Sequence, residues 1–116
     1  MKLYDSEWKL MEVLWSNEPV TAKQLSALAF EQIGWNKNTT YTVIKKLIEK
    51  DAISRTEPNF TCTSLLRKED AVKAETSSFI DRVFKGSKKA FFASFLEDED
   101  LSEAEIAALK EMIEKK

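Results

Sequence analysis

Apolar residues recur at helical spacing near the start of the chain. Trp8, Met11 and Trp15 lie on one face, with Leu10 and Leu14 beside them. Asp5 or Ser6 is placed to cap this helix, which is predicted to run to about Ser16 and to end at Asn17 and Pro19. Val20 makes a short extended link. Thr21-Ala22-Lys23-Gln24 then has the form of a capping box, in which Thr21 caps the helix and Gln24 reaches back to its backbone N–H. Leu25, Leu28, Ala29 and Ile33 continue the apolar stripe, and Gly34 suits a left-handed C-terminal cap. Asn36 is a good cap for a third helix. Thr40, Val43, Ile44, Leu47 and Ile48 share one arc of it, while Asn38, Thr39, Thr42, Lys45 and Lys46 share the other. Two helices joined by a tight turn, the second with a polar and basic outer face, predict a helix-turn-helix.

Beyond this the period changes. Residues 53–57 and 60–65 read as two strands around a Pro58-Asn59 turn, because Thr and Phe favour strands and Pro-Asn favours a turn. A hairpin in this place predicts the wing of a winged helix. The remainder reads as helical. Val72, Thr76, Phe79, Ile80, Val83 and Phe84 form a stripe on one long helix that stops near Gly86. Residues 88–96 form a short helix carrying Phe91, Phe92 and Phe95. Glu97-Asp98-Glu99-Asp100 is an acidic linker. Ser102 and Glu105 make a second capping box, Leu101 and Ile106 can staple that start, and the last helix carries Ile106, Leu109 and Ile113. The expected fold is therefore mainly α with a small β-hairpin: a winged helix-turn-helix over residues 1–66, then a helical dimerisation segment over residues 67–116.

The case for a dimer rests on the phenylalanines. Five of the seven lie between Phe79 and Phe95. About fifty residues in three helices are too few to bury that much aromatic surface alone. A second copy of the chain is the simplest cover, with Val72, Phe79, Ile80, Val83, Phe84, Phe91, Phe92, Phe95, Ile106 and Leu109 as the expected interface. A two-fold assembly also suits palindromic half-sites on DNA.

Composition narrows the chemistry. The chain has no histidine and one cysteine, Cys62. Ser-His and Cys-His catalytic pairs are thereby excluded, as are the common zinc sites and an intrachain disulfide. No enzyme, metal or cofactor is expected. Cys62, on a strand, reads as a small buried or half-buried hydrophobe. No apolar run reaches the length of a membrane span and the N-terminus turns polar too early for a signal peptide, so a cytoplasmic protein without membrane insertion is expected. The net charge of −2 does not advertise a nucleic-acid partner. Residues 1–66 carry eight basic and eight acidic side chains, so the excess lies in residues 67–116, with ten basic and twelve acidic. Binding to DNA must come from a local basic face.

The candidates for that face are Thr21, Lys23, Lys37, Asn38, Thr39, Thr42, Lys45, Lys46, Arg55 and Asn59. Asn38, Thr39 and Thr42 are placed for base edges or phosphates, and Lys45 and Lys46 for phosphates. Thr21 and Lys23 open a helix whose first N–H groups attract phosphate. Trp8 and Trp15 read as core, and Tyr41 lies on the flank of the recognition helix. Taken alone, these residues leave other readings open. The third helix's outer face can be merely solvated, and the domain can be a protein-interaction module or a PadR-like regulator that senses a ligand at the Phe-rich segment.

The chain as a whole resembles the penicillinase-repressor family of winged-helix transcriptional regulators, the BlaI/MecI/CopY type. The residues that carry the resemblance run in order: residues 5–15 for the opening helix, Val20-Thr21-Ala22 for the lead-in to the second, residues 35–47 for the recognition segment, and residues 75–82 for an "ES-SF-DR" pattern. Residues 92–103 resemble the region of the family's proteolytic switch. The resemblance implies a dimeric repressor of β-lactam-resistance or related operons, bound to palindromic double-stranded operator DNA. It implies Thr39 and Thr42 on DNA, and release when a membrane sensor peptidase, or a protease it triggers, cuts near the C-terminal dimer helices. Three departures stand out. The family's Asn-Phe bond is here Ser94-Phe95, its frequent lysine is Asn38, and its Gly-Arg wing tip is Asn59-Phe60. The cysteine cluster of the copper-sensing branch is absent from this sequence.

Overall fold

The computed structural model describes residues 1–98 and 100–116. Its described residues form six helices and three strands: α1 Asp5–Asn17, β1 Val20–Thr21, α2 Ala22–Ile33, α3 Lys37–Glu49, β2 Ile53–Thr56, β3 Thr61–Ser64, α4 Lys68–Phe84, α5 Lys88–Asp98 and α6 Glu103–Glu114. The chain divides into two compact units, Met1–Glu75 and Thr76–Lys116, with the division inside α4.

In the first unit, α1, α2 and α3 pack on a small antiparallel sheet of order β1-β3-β2. This is the mainly α winged helix the pattern predicts. Leu10, Met11, Leu14, Leu25, Ile44, Leu47 and Ile53 are fully buried at its centre. Thr40 joins them at 0% exposure, and its hydroxyl donates to the Asn36 carbonyl at 3.1 Å, so no polar group is orphaned there. Trp8 and Trp15 meet edge to face, 5.8 Å between centroids, and pack half-buried on this core. The Trp15 indole N–H donates to the Leu66 carbonyl at 2.9 Å and so ties α1 to the chain leaving the sheet.

The helix ends follow their caps. The Thr21–Gln24 box forms in both directions, at 2.9 and 3.1 Å. Gly34 takes the left-handed conformation, φ +84°, and Asn36 Oδ1 accepts from the Thr39 N–H at 2.9 Å. Three local features differ from expectation. The cap of α1 is Tyr4, not Asp5 or Ser6, because Glu7 at the third helical position accepts the Tyr4 N–H at 2.8 Å and draws Asp5 into the first turn. The link at Val20 is a strand, with Val20 opposite Cys62 and Thr21 opposite Thr61. Both hairpin strands are shorter than expected, since Thr56 pairs with Thr61 and Phe60, at φ +49°, breaks the extended run.

In the second unit, the Ser87 hydroxyl caps α5 and the Ser102–Glu105 box caps α6, each of its bonds at 3.1 Å. The Ser102 backbone N–H, then its hydroxyl, hold the Glu105 carboxyl below its ordinary range. Phe91 is the hub of an aromatic cluster, meeting Phe79, Phe84, Phe92 and Phe95 at centroid distances of 6.1, 5.6, 5.2 and 6.3 Å. The expected acidic linker is partly helical, since α5 includes Glu97 and Asp98; Glu99 lies outside the described residues. No helix among the described residues is long and apolar enough to cross a membrane.

Candidate nucleic-acid interface

The third helix presents two chemically distinct sides. Thr40, Val43, Ile44 and Leu47 are buried, while Lys37, Asn38, Thr39, Thr42, Lys45 and Lys46 are exposed. The Asn36 cap fixes where the first turn begins, and burial of Thr40, Val43, Ile44 and Leu47 sets which side faces the core. Lys37 and Lys46 are about 14 Å apart along the axis at helical rise and lie on opposite flanks of the exposed side.

The basic groups here are not neutralised by neighbours. Among the described residues no ion pair involves Lys23, Lys37, Lys45 or Lys46. Several acidic groups of this unit are instead engaged elsewhere: Glu7 with Lys50, Glu12 with Lys68, and Glu18 with the N–H and hydroxyl of Ser64. Zero net charge over residues 1–66 therefore coexists with a cationic outer face on α3. Lys46 differs from Lys45 in lining an open pocket with Tyr4, Ser6, Glu7, Glu49 and Lys50, a mixed-charge setting.

Two threonines on the face are held in different ways. The Thr42 hydroxyl donates to the Asn38 carbonyl at 2.9 Å, a bond within the helix. Thr39 contributes its backbone N–H to the Asn36 cap.

The wing and the start of α2 meet the front end of α3. The Phe60 carbonyl accepts the Ala22 N–H at 2.8 Å, which places the hairpin turn beside Thr21 and Lys23. The Phe60 ring meets Tyr41 of α3 edge to face at 6.2 Å. The Arg55 guanidinium lies over the other partner of this contact, 3.8 Å from the Phe60 centroid, and its Nε donates to Glu57 at 2.6 Å. Lys37 Nζ is 5.7 Å from the Tyr41 centroid. Thr21, Lys23, Lys37, Arg55 and the turn bearing Asn59 are thus gathered at one end of α3, while Lys45 and Lys46 lie further along it. Phe60 and Tyr41, which hold this corner together, were not among the expected site residues. Phe60 reads as a strand residue and Tyr41 as a flank, and only their meeting across the fold gives them a role.

Cys62 lies beneath the wing at 0% exposure. Burial pushes its thiol pKa up, and nearby Arg55 partly offsets this. It faces no metal-binding group of three or more His, Cys, Asp or Glu side chains among the described residues.

The other expected residues are all on the helices α4–α6. Ile80 is buried, and Phe84, Phe91 and Leu109 are half-buried. Val72, Phe79, Val83, Phe92, Phe95 and Ile106 keep 37–56% of their surface exposed. Ser94 is half-buried within α5, and Phe95 follows it in the same helix.

Comparison with known proteins places this architecture. The family described as penicillinase repressor matches residues 3–115. The methicillin resistance regulatory protein MecI of Staphylococcus aureus (strain N315) is 30% identical over 117 residues, covering 99% of this chain and 95% of the relative. The penicillinase repressor of Bacillus licheniformis is 24% identical over 115 residues, covering 97% of this chain and 90% of the relative. With nearly every residue matched, from the first helix to the last, the chain belongs to the penicillinase repressor family.

Proposed function

We propose that this chain is a dimeric, sequence-specific repressor that binds palindromic operator DNA of β-lactam-resistance or related genes. The observation that carries this reading is the exposed outer face of α3, with Asn38, Thr39, Thr42, Lys45 and Lys46 set beside an ordered wing and no ion pair on its lysines. Lys37, Lys45, Lys46, Lys23 and Arg55 hold phosphates and position the domain. Asn38, Thr39 and Thr42 approach base edges. Thr21 and Asn59 contribute backbone-side contacts at the second helix and the wing.

Two copies place two recognition helices one turn of duplex apart, roughly 34–36 Å. The apolar residues left exposed on α4, α5 and α6 supply the surface for pairing. Release follows cutting near Ser94-Phe95 by a sensor peptidase or a protease it triggers. That bond lies within a helix, so α5 must open locally before a protease reaches it. A chain ending at Ser94 is expected to lose pairing and tight operator binding; one that dimerises and binds normally refutes this switch.

The reading is tested by duplex binding at two salt concentrations, with DNA from upstream of the chain's own gene and a scrambled control. Tight, salt-sensitive binding to the first and weak binding to the second supports a specific repressor. No binding to either by a folded dimer sinks the DNA reading and favours a protein-interaction module.

A further inference from the structure

Four side chains form a continuous ladder across the corner between the wing and the recognition helix. The Arg55 guanidinium carbon is 3.8 Å from the Phe60 centroid. Phe60 and Tyr41 meet at 6.2 Å with an interplanar angle of 86°. Lys37 Nζ is 5.7 Å from the Tyr41 centroid. Both rings are half-buried against the core, whereas the two cations at the ends are exposed. Cation, ring, ring, cation is thus the order from β2 to the first turn of α3.

An arginine on a short hairpin is ordinarily free to sample many rotamers. Here the ring face attracts its charge and the Glu57 carboxylate takes its Nε hydrogen. The four hydrogens on the Nη nitrogens remain for an oxyanion, since among the described residues those nitrogens have no hydrogen-bonded partner. The turn itself is pinned, because the Phe60 carbonyl accepts the Ala22 N–H at 2.8 Å. Ordering these groups before binding removes part of the entropy cost of making the contact.

We propose that Phe60 and Tyr41 are positioning residues that join Arg55 of the wing and Lys37 of the recognition helix into one phosphate clamp, through the Arg55–Phe60–Tyr41–Lys37 ladder. This rests on the DNA-binding reading above. Loss of either ring loosens the hold on Arg55, although neither ring carries a charge.

The test is a salt series of duplex binding with DNA from upstream of the chain's own gene, using R55Q, F60L and the double variant. R55Q is expected to lower the slope of log affinity against log salt by about 0.9, which shrinks the weakening between 50 and 200 mM salt about 3.5-fold. F60L is expected to lower the slope by a similar amount, and the double variant by little more than either. Y41F, which keeps the ring, should bind as the parent does, whereas Y41L should resemble F60L. Should F60L fail to fold, as judged by thermal unfolding, the Y41F and Y41L pair decides. Slope losses that add, or an F60L or Y41L slope equal to the parent's, overturn the clamp while leaving the DNA reading intact. A folded parent that binds no duplex overturns the DNA reading, and the clamp with it.

Discussion

Glu7 and Lys50 join the first turn of α1 to the end of α3. The Glu7 side chain is 3% exposed, and its carboxylate lies 2.6 Å from Lys50 Nζ. The same Lys50 ammonium donates to the Lys2 carbonyl at 2.9 Å and sits 4.6 Å from the Tyr4 ring centroid. One cation thereby fixes the N-terminal segment, α1 and α3 relative to one another.

Removing Lys50 strands a buried carboxylate. K50A is expected to cost about 2–3 kcal/mol, less than the ~3–5 of a fully buried pair because the Lys50 side chain keeps 29% of its surface in water. Urea unfolding reads this as a lower midpoint with unchanged slope. The paired variant E7L/K50M should lose less than K50A alone, since it leaves no charge behind. Equal losses would assign the cost to packing instead.

On the outer face of α3, charge and amide should separate in their effects. K46A is expected to weaken every duplex alike and to reduce the salt slope by ~1. N38A should leave the slope and narrow the ratio of specific to scrambled binding, by about 1–3 kcal/mol if the amide is bidentate to adenine. Filter binding or fluorescence anisotropy over a salt series reads both. An unchanged slope for K46A removes it from the contacts.

The phenylalanines of the second unit divide into two classes. Phe91 touches four other rings of its own chain, so F91A should destabilise the unit by about 3 kcal/mol or more. Phe92 and Phe95 are 56% and 43% exposed in one chain, so F92E and F95E should leave helicity intact but shift the chain towards monomer. Sedimentation and circular dichroism measured together decide this. A dimer unaffected by both variants would place the interface elsewhere.

Burial raises the Cys62 thiol, with Arg55 opposing. The folded pKa exceeds that of the unfolded chain, so the stabilising contribution is complete below about pH 8.5 and is lost as pH rises from there through the folded value. A thiol reagent at pH 8 should therefore leave the native protein unlabelled and label it fully in denaturant. Rapid native labelling would show that the wing opens readily.

The caps explain why so much of the fold is legible in sequence. Thr21 with Gln24, Gly34, Asn36, and Ser102 with Glu105 each carry their instruction within four residues, and all of them act as local chemistry dictates. Features that depend on distant partners are not legible in this way. A two-residue strand such as Val20–Thr21 has no period of its own and exists only through Cys62 and Thr61. The end of α3 lacks a glycine, and Asp51 supplies the left-handed turn at φ +62°. Tyr41 and Phe60 are nineteen positions apart and gain their role only by meeting. The Phe-rich helices announce an aromatic core, but not that Phe91 would gather it within one chain.

The bond inside α3 from the Thr42 hydroxyl to the Asn38 carbonyl narrows what that side chain offers outward. Its only hydrogen is already committed, so what remains is a pair of acceptor sites and a methyl group. On a duplex in the major groove, Thr42 is then suited to the amino hydrogens of adenine or cytosine and to the methyl of thymine. It has nothing to give to the guanine O6 or N7 unless the helix first surrenders the bond. In the proposed complex, a backbone contact of a single turn thus filters the bases open to this position.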